Sequence, residues 1–201
     1  MKRFLLLTLP MCILQSNITH AQSVLEPCRE YPLSEYYQGI EKRVDVAAGA
    51  EYQIALTTIP SFFPESAVRL VDSEIYYVKF KPSLWATGNS HMDFVSPKIN
   101  IKVYHSPISQ ENASKIVRIY SAAISSVREQ DDAGGLDGTS YYFRTPEAGC
   151  GSAWSPEPET DNAILVQLLE LLAKHATLSR PQEMKRSEGA ISKMIEKIEA
   201  R

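Results

Sequence analysis

Residues 149–154 read Gly-Cys-Gly-Ser-Ala-Trp. The arrangement Cys-Gly-Ser-Cys-Trp can surround a nucleophilic thiol, so Cys150 is the first residue to test for chemistry. The match fails at its centre, because the position that would carry the thiolate is Ala153. It fails downstream as well: that arrangement places its catalytic histidine more than about 100 residues later, and only about 50 remain. The chain holds three cysteines, Cys12, Cys28 and Cys150. Cys12 falls in an N-terminal stretch that is expected to be removed, as argued below. Cys28 and Cys150 are then the only pair in a chain bound for an oxidising compartment, where a disulfide is the default. Such a bond closes a loop of roughly 120 residues, for which the chain-entropy treatment allows somewhat more than 4 kcal/mol.

No other group of residues assembles into a recognisable reactive set. Beyond His20, the histidines are His91, His105 and His175, and their spacing matches no metal-binding pattern. Each reads as a structural or surface residue. The run Asp131–Gly138 places three aspartates among three glycines, but it lacks the order and the closing glutamate of a calcium loop and reads as a turn. Glu157, Glu159 and Asp161 read as favourable charge at a helix start. Ser140 lacks the second glycine of a nucleophile elbow. No phosphate loop or dinucleotide fingerprint is present. No catalytic residue, metal ligand or cofactor is therefore expected.

The chain opens with Lys2 and Arg3, an apolar run from Phe4 to Leu14, and a polar stretch ending Thr19-His20-Ala21. This is the layout of a cleavable secretory signal, with the cut after Ala21. The apolar run is too short to span a bilayer, which takes about 20 residues. Residues 1–21 are assigned to the signal and 22–201 to one mature domain, and a periplasmic or secreted location is expected. Losing Lys2 and Arg3, with no acidic residue among the removed 21, moves the formal charge from −3 to −5. That mildly acidic balance lacks the basic stripe a nucleic-acid surface needs.

Pro82–Lys98 is a connection of about 17 residues with no periodicity, a length that in a compact domain usually signals function or disorder. It contains Trp85, His91, Met92 and Phe94. Aromatic side chains are what protein interfaces use as anchors, so these four are the candidate binding residues. The competing assignment folds the loop back so that its aromatics plug the core.

Elements must hold that loop in place. Glu51–Thr58 alternates as a strand ended by Pro60. Ala67–Val71 fits either a short strand or a buried helical turn. Glu74–Lys81 sets Tyr76, Val78 and Phe80 against Ile75, Tyr77 and Lys79, and Ile99–His105 sets Ile99, Ile101 and Val103 against Asn100, Lys102 and Tyr104. Each reads as a strand with one solvated face. Ser109 caps an amphipathic helix running to about Arg128, and Thr139–Thr145 alternates again. Thr160 caps Asp161–Ala176, a helix whose polar stripe is so narrow that Leu168 and Leu172 must be buried. Gln182–Ala200 is amphipathic and docks on the domain or on a partner. Residues 22–49 are open to helix or strand. The sum is a single α+β domain: an antiparallel sheet of about four strands packed against two or three helices.

A leading signal peptide, the segment Leu136–Phe143 (LDGTSYYF), the tripeptide Trp154-Ser155-Pro156 and a closing leucine-rich helix together resemble a family of small exported proteins of Gram-negative bacteria, uncharacterised in function. The resemblance implies an envelope location and supplies no catalytic residue. The leading expectation is an exported, non-enzymatic protein that binds a protein or envelope component, for instance as an inhibitor or immunity-type protein. Two alternatives are a hydrolase using carboxylates drawn from Glu65, Asp72, Glu74 and Asp93, and a small-molecule carrier with a pocket between sheet and helices.

Overall fold

The structure, a computed structural model, describes residues 24–28, 34–85, 100–129 and 137–201. In chain order its elements are β1 (Glu26–Pro27), α1 (Ser34–Ala48), β2 (Ile54–Pro60), β3 (Ser66–Val71), β4 (Glu74–Lys81), β5 (Asn100–Pro107), α2 (Gln110–Ser125), β6 (Thr139–Thr145), β7 (Gly149–Trp154), α3 (Asp161–Ala176) and α4 (Pro181–Glu199). The α+β class is as expected, but the sheet has seven strands in the order β1-β7-β6-β2-β3-β4-β5 rather than about four. Every neighbouring pair runs antiparallel. Among the described residues four helices, rather than two or three, pack on it.

The additional elements have local causes. Ala67–Val71 is a strand because its residues pair with both β2 and β4. β3 turns into β4 through Asp72 and Ser73, both at positive φ, which matches the twist of a two-residue hairpin. β7 is built from small residues and pairs with β6 through its whole length. The open N-terminal region supplies β1 and α1.

The faces follow from the pleat. On one, Ile54, Leu56, Val68, Leu70, Ile75 and Phe143 meet Ile116 and Tyr120 of α2, Leu168 and Leu172 of α3, and Ile191 and Ile195 of α4 in a continuous core. α4 therefore docks on the domain, one of the two outcomes its amphipathic pattern allowed. On the other face, Tyr36, Ile40 and Val44 recur at helical spacing along α1 and bury against Ala67, Val78 and Phe80. Covering by α1 corrects the expectation of a solvated face for β2: Ile54 to Thr57 are buried without alternation. No helix among the described residues is long and apolar enough to cross a membrane.

Both helix caps form as their residue types predict. Ser109 accepts a hydrogen bond from the N–H of Asn112, and Thr160 from that of Ala163. α2 stops at Ser125, three residues short of the expected end.

Cys28 and Cys150 are paired, with Cα atoms 5.6 Å apart, at the usual spacing for a disulfide. The bond ties the short strap of residues 24–28 to β7. Leu25 of that strap is buried, and its carbonyl accepts the N–H of Arg128 at 3.0 Å. Gly151 makes room for it, since a Cβ there would lie 2.9 Å from Leu25 Cδ1.

Candidate binding surface

The register gathers several chain segments at one end of the sheet. The β2–β3 loop, the residues after β4, the start of β6 and the end of β7 lie there together, because Thr58 pairs with Ser66, Ser66 with Lys79, Pro60 with Thr139, and Ser140 with Trp154. Trp85, expected as a contact residue, is there and is 62% exposed. Its ring meets that of Tyr36 edge-on, with centroids 5.5 Å apart. His91, Met92 and Phe94 lie outside the described residues.

Two further aromatics stand at the same end. Phe62 and Phe63, in the β2–β3 loop, are 75% and 71% exposed. Two adjacent phenylalanines bracketed by Pro60 and Pro64 carry a sequence signal of their own, since a turn rarely presents two large apolar side chains without a reason. Reading the prolines only as strand punctuation hides it. An exposed cluster of large apolar groups is more informative than a lone exposed one.

These loops are fixed on both sides. Ser61 donates its N–H to the carbonyl of Gly138 at 2.9 Å, and its hydroxyl accepts the Gly138 N–H at 3.1 Å. A side chain at Gly138 would push Ser155 and Trp154 aside, because a Cβ there would collide with Ser155 Oγ and the Trp154 ring. On the other side Glu65, fully buried, accepts from the Tyr36 hydroxyl, Ser83 Oγ at 2.7 Å, Leu84 N–H at 2.8 Å and Trp85 N–H at 3.2 Å. A buried carboxylate is stable only when so satisfied. Burial raises the Tyr36 phenol above its ordinary pKa, and the Glu65 hydrogen bond and charge push the same way, so this hydroxyl stays a donor.

Among the described residues, Glu65, Asp72 and Glu74, three of the acids named for a hydrolase, do not come together. Glu65 precedes β3 and is occupied as the loop anchor, whereas Asp72 and Glu74 lie beyond its far end, about 20 Å away along a strand of six residues. Glu74 Oε2 instead lies 3.5 Å from His105 Nδ1 on the exposed edge. Asp93 is outside the described residues. His175 is buried, with Nε2 2.9 Å from the Pro107 carbonyl, which makes it a structural residue.

A second polar cluster lies under α1. Reading across the sheet, Cys150, Arg144, Ala55, Arg69, Tyr76 and His105 share one row. Arg69 Nη2 donates to Glu41 Oε2 at 2.6 Å and Asp45 Oδ1 at 3.0 Å, and its guanidinium lies 4.4 Å from the Tyr52 ring centroid. Thr57 Oγ1 donates to Glu41 Oε1 at 2.6 Å. Arg144 covers the Tyr37 ring at 4.6 Å. Tyr37, Glu41 and Asp45 recur every four residues, one step round the helix from its apolar stripe. They fix how α1 is seated on the polar half of the sheet. Desolvation holds Asp45 above the usual carboxylate range, only partly offset by Arg69. This cluster is an ion-pair network between a helix and a sheet in which Glu41 and Asp45 both engage Arg69 Nη2, while Arg69 Nε and Nη1 are buried with no hydrogen-bond partner among the described residues.

Among the described residues no group of three or more His, Cys, Asp or Glu side chains could hold a metal ion. No known protein family, curated protein or solved structure matches the chain.

Proposed function

We propose that the chain is an exported, non-enzymatic binding protein of the cell envelope, which captures a protein partner through the aromatic end of its sheet. The observation that carries this reading is the display of Phe62, Phe63 and Trp85 on loops fixed by Ser61–Gly138 and Glu65. Aromatic anchors held in place before binding lose little conformational freedom on association, and this preorganisation favours affinity. Trp leads the residues that dominate interface energies, with neighbouring apolar contacts excluding water around it. The signal-like N-terminus and the Cys28–Cys150 pairing support an oxidising compartment.

The test compares capture from envelope extract by the mature protein and by a Phe62→Ser, Phe63→Ser, Trp85→Ala variant of unchanged circular dichroism and melting temperature. The expected result is a partner retained by the wild type and lost by the variant. Equal capture by both, or no partner specific to the wild type, overturns the reading.

A further inference from the structure

On the helix side of the sheet, α2, the first turns of α3 and the end of α4 enclose a groove of about 740 Å3, bounded on one side by Val24 and Leu25 of the strap. Its floor is apolar, formed by Leu25, Ile119, Ala123, Ile164, Leu165 and Ile198. None of Phe62, Phe63 and Trp85 lines it. The volume falls in the range of small-molecule sites. From Arg118 to the end of α2 at Ser125 the groove follows the helix for roughly 10 Å, at 1.5 Å per residue, and it continues past the helix to Arg128.

The walls are joined before any ligand arrives. Arg118 of α2 pairs with Glu199 at the end of α4. Arg201 pairs with Asp161 of α3 at 2.7 Å and also reaches the Glu159 carbonyl. These bonds neutralise two of the three arginines that border the groove. The third, Arg128, has no carboxylate partner among the described residues, and its backbone N–H is held by the Leu25 carbonyl. A cation with no carboxylate partner among the described residues therefore stands at one end of an apolar trough. The complement is an anion carrying an aliphatic tail: the tail removes apolar floor from water and the head meets Arg128.

We infer that the groove binds a single-chain carboxylate amphiphile of the fatty-acid class, with its carboxylate at Arg128 and its chain along Ile119, Ala123 and Ile198. An extended dodecyl chain matches the groove in length. Binding here is independent of the aromatic end.

The test is calorimetric titration of the mature protein with dodecanoate, dodecanol and butyrate, each below its aggregation concentration. Dodecanoate should bind at least about tenfold more tightly than dodecanol, and butyrate, the anion without the tail, should give no detectable heat. Arg128→Gln should remove the preference for the acid while leaving dodecanol binding in place. Ala122→Trp, at an exposed position bordering the groove, should block both. The variant lacking Phe62, Phe63 and Trp85 should bind dodecanoate as the wild type does. Melting curves check each variant, and if Ala122→Trp fails to fold, Arg128→Gln decides alone. Absence of dodecanoate binding, equal affinity for acid and alcohol, or an Arg128→Gln variant that keeps the preference overturns the inference.

Discussion

The backbone N–H of Trp85 lies 3.2 Å from Oε1 of Glu65, a carboxylate twenty residues earlier that is closed off from solvent. Glu65 also receives Tyr36, Ser83 and Leu84, so one side chain joins α1, the start of β3 and the segment after β4. Removing it takes the acceptor from the buried Tyr36 hydroxyl and withdraws one acceptor from each of Ser83, Leu84 and Trp85. Glu65→Ala should cost about 1–3 kcal/mol in urea denaturation, the cost of leaving one buried donor, the Tyr36 hydroxyl, unsatisfied. Glu65→Gln, which turns one acceptor into a donor facing donors, should lose an intermediate amount. A loss below about half a kcal/mol for the alanine variant would show that the loops are held by something else.

The exposed aromatics predict the opposite behaviour. Trp85→Ala and Phe62→Ser remove large side chains that face solvent, so their stabilities should stay within about 1 kcal/mol of wild type, most of that being the Tyr36 edge contact in the Trp85 case. Thermal melts followed by circular dichroism measure this directly. A melting point far below wild type would place these side chains in the core and remove them as contact residues.

The pairing of Cys28 with Cys150 holds the strap whose Leu25 fills the space above Gly151. Thiol titration of the denatured, unreduced protein without residues 1–21 should find no free thiol. A Cys28→Ser, Cys150→Ser double variant should lose up to about 4 kcal/mol, because the bond constrains a long loop in the unfolded chain. Two free thiols per chain would refute the pairing.

What could be read from the sequence was what is decided locally. Glu74–Lys81 alternates strongly enough that its strand has the bounds its side chains suggest, and Ser109 and Thr160 cap their helices through hydrogen bonds spanning three residues. β7 was hidden because Gly149–Trp154 has little intrinsic strand preference. It becomes a strand by pairing with β6 and by making room for Leu25. α1 was hidden because Tyr36, Tyr37, Ile40 and Val44 suit a strand as well as a helix, and burial on the second face of the sheet decides. At the site, Trp85 stood out as an aromatic in a long connection. Glu65 was legible only as one of four candidate acids, because its anchoring role depends on partners brought together only by the register of β3 and β4.

Along α3 the polar stripe is narrow, and Leu168 and Leu172 are both buried between the sheet and the neighbouring helices. Leu168→Ala or Leu172→Ala should each cost about 2–5 kcal/mol, the spread reflecting how far the surrounding side chains can close the cavity. Chemical denaturation with an unchanged slope would assign the loss to the folded state. A loss under about half a kcal/mol would contradict the burial.

Glu188 of α4 holds the first turn of α2, accepting the Ser109 N–H at 2.8 Å and Asn112 Nδ2 at 3.0 Å. Burial alone would raise its pKa, but the hydrogen bonds from Ser109 and Asn112, together with the proximity of His175, outweigh that and leave it below the ordinary glutamate value. A folded-state pKa lower than the unfolded one contributes stability that is fully present above the unfolded value, about 4.3, and is lost as pH falls through the folded value. Wild type should therefore exceed Glu188→Gln in stability most at neutral pH, and the gap should close as pH drops below about 4. The gap should be well under about 1 kcal/mol, because solvent screens a carboxylate that is only partly buried. Urea denaturation of both proteins across pH 3 to 7 measures it, and a gap that does not change with pH would mean that the carboxylate's charge contributes nothing to holding α4 against α2.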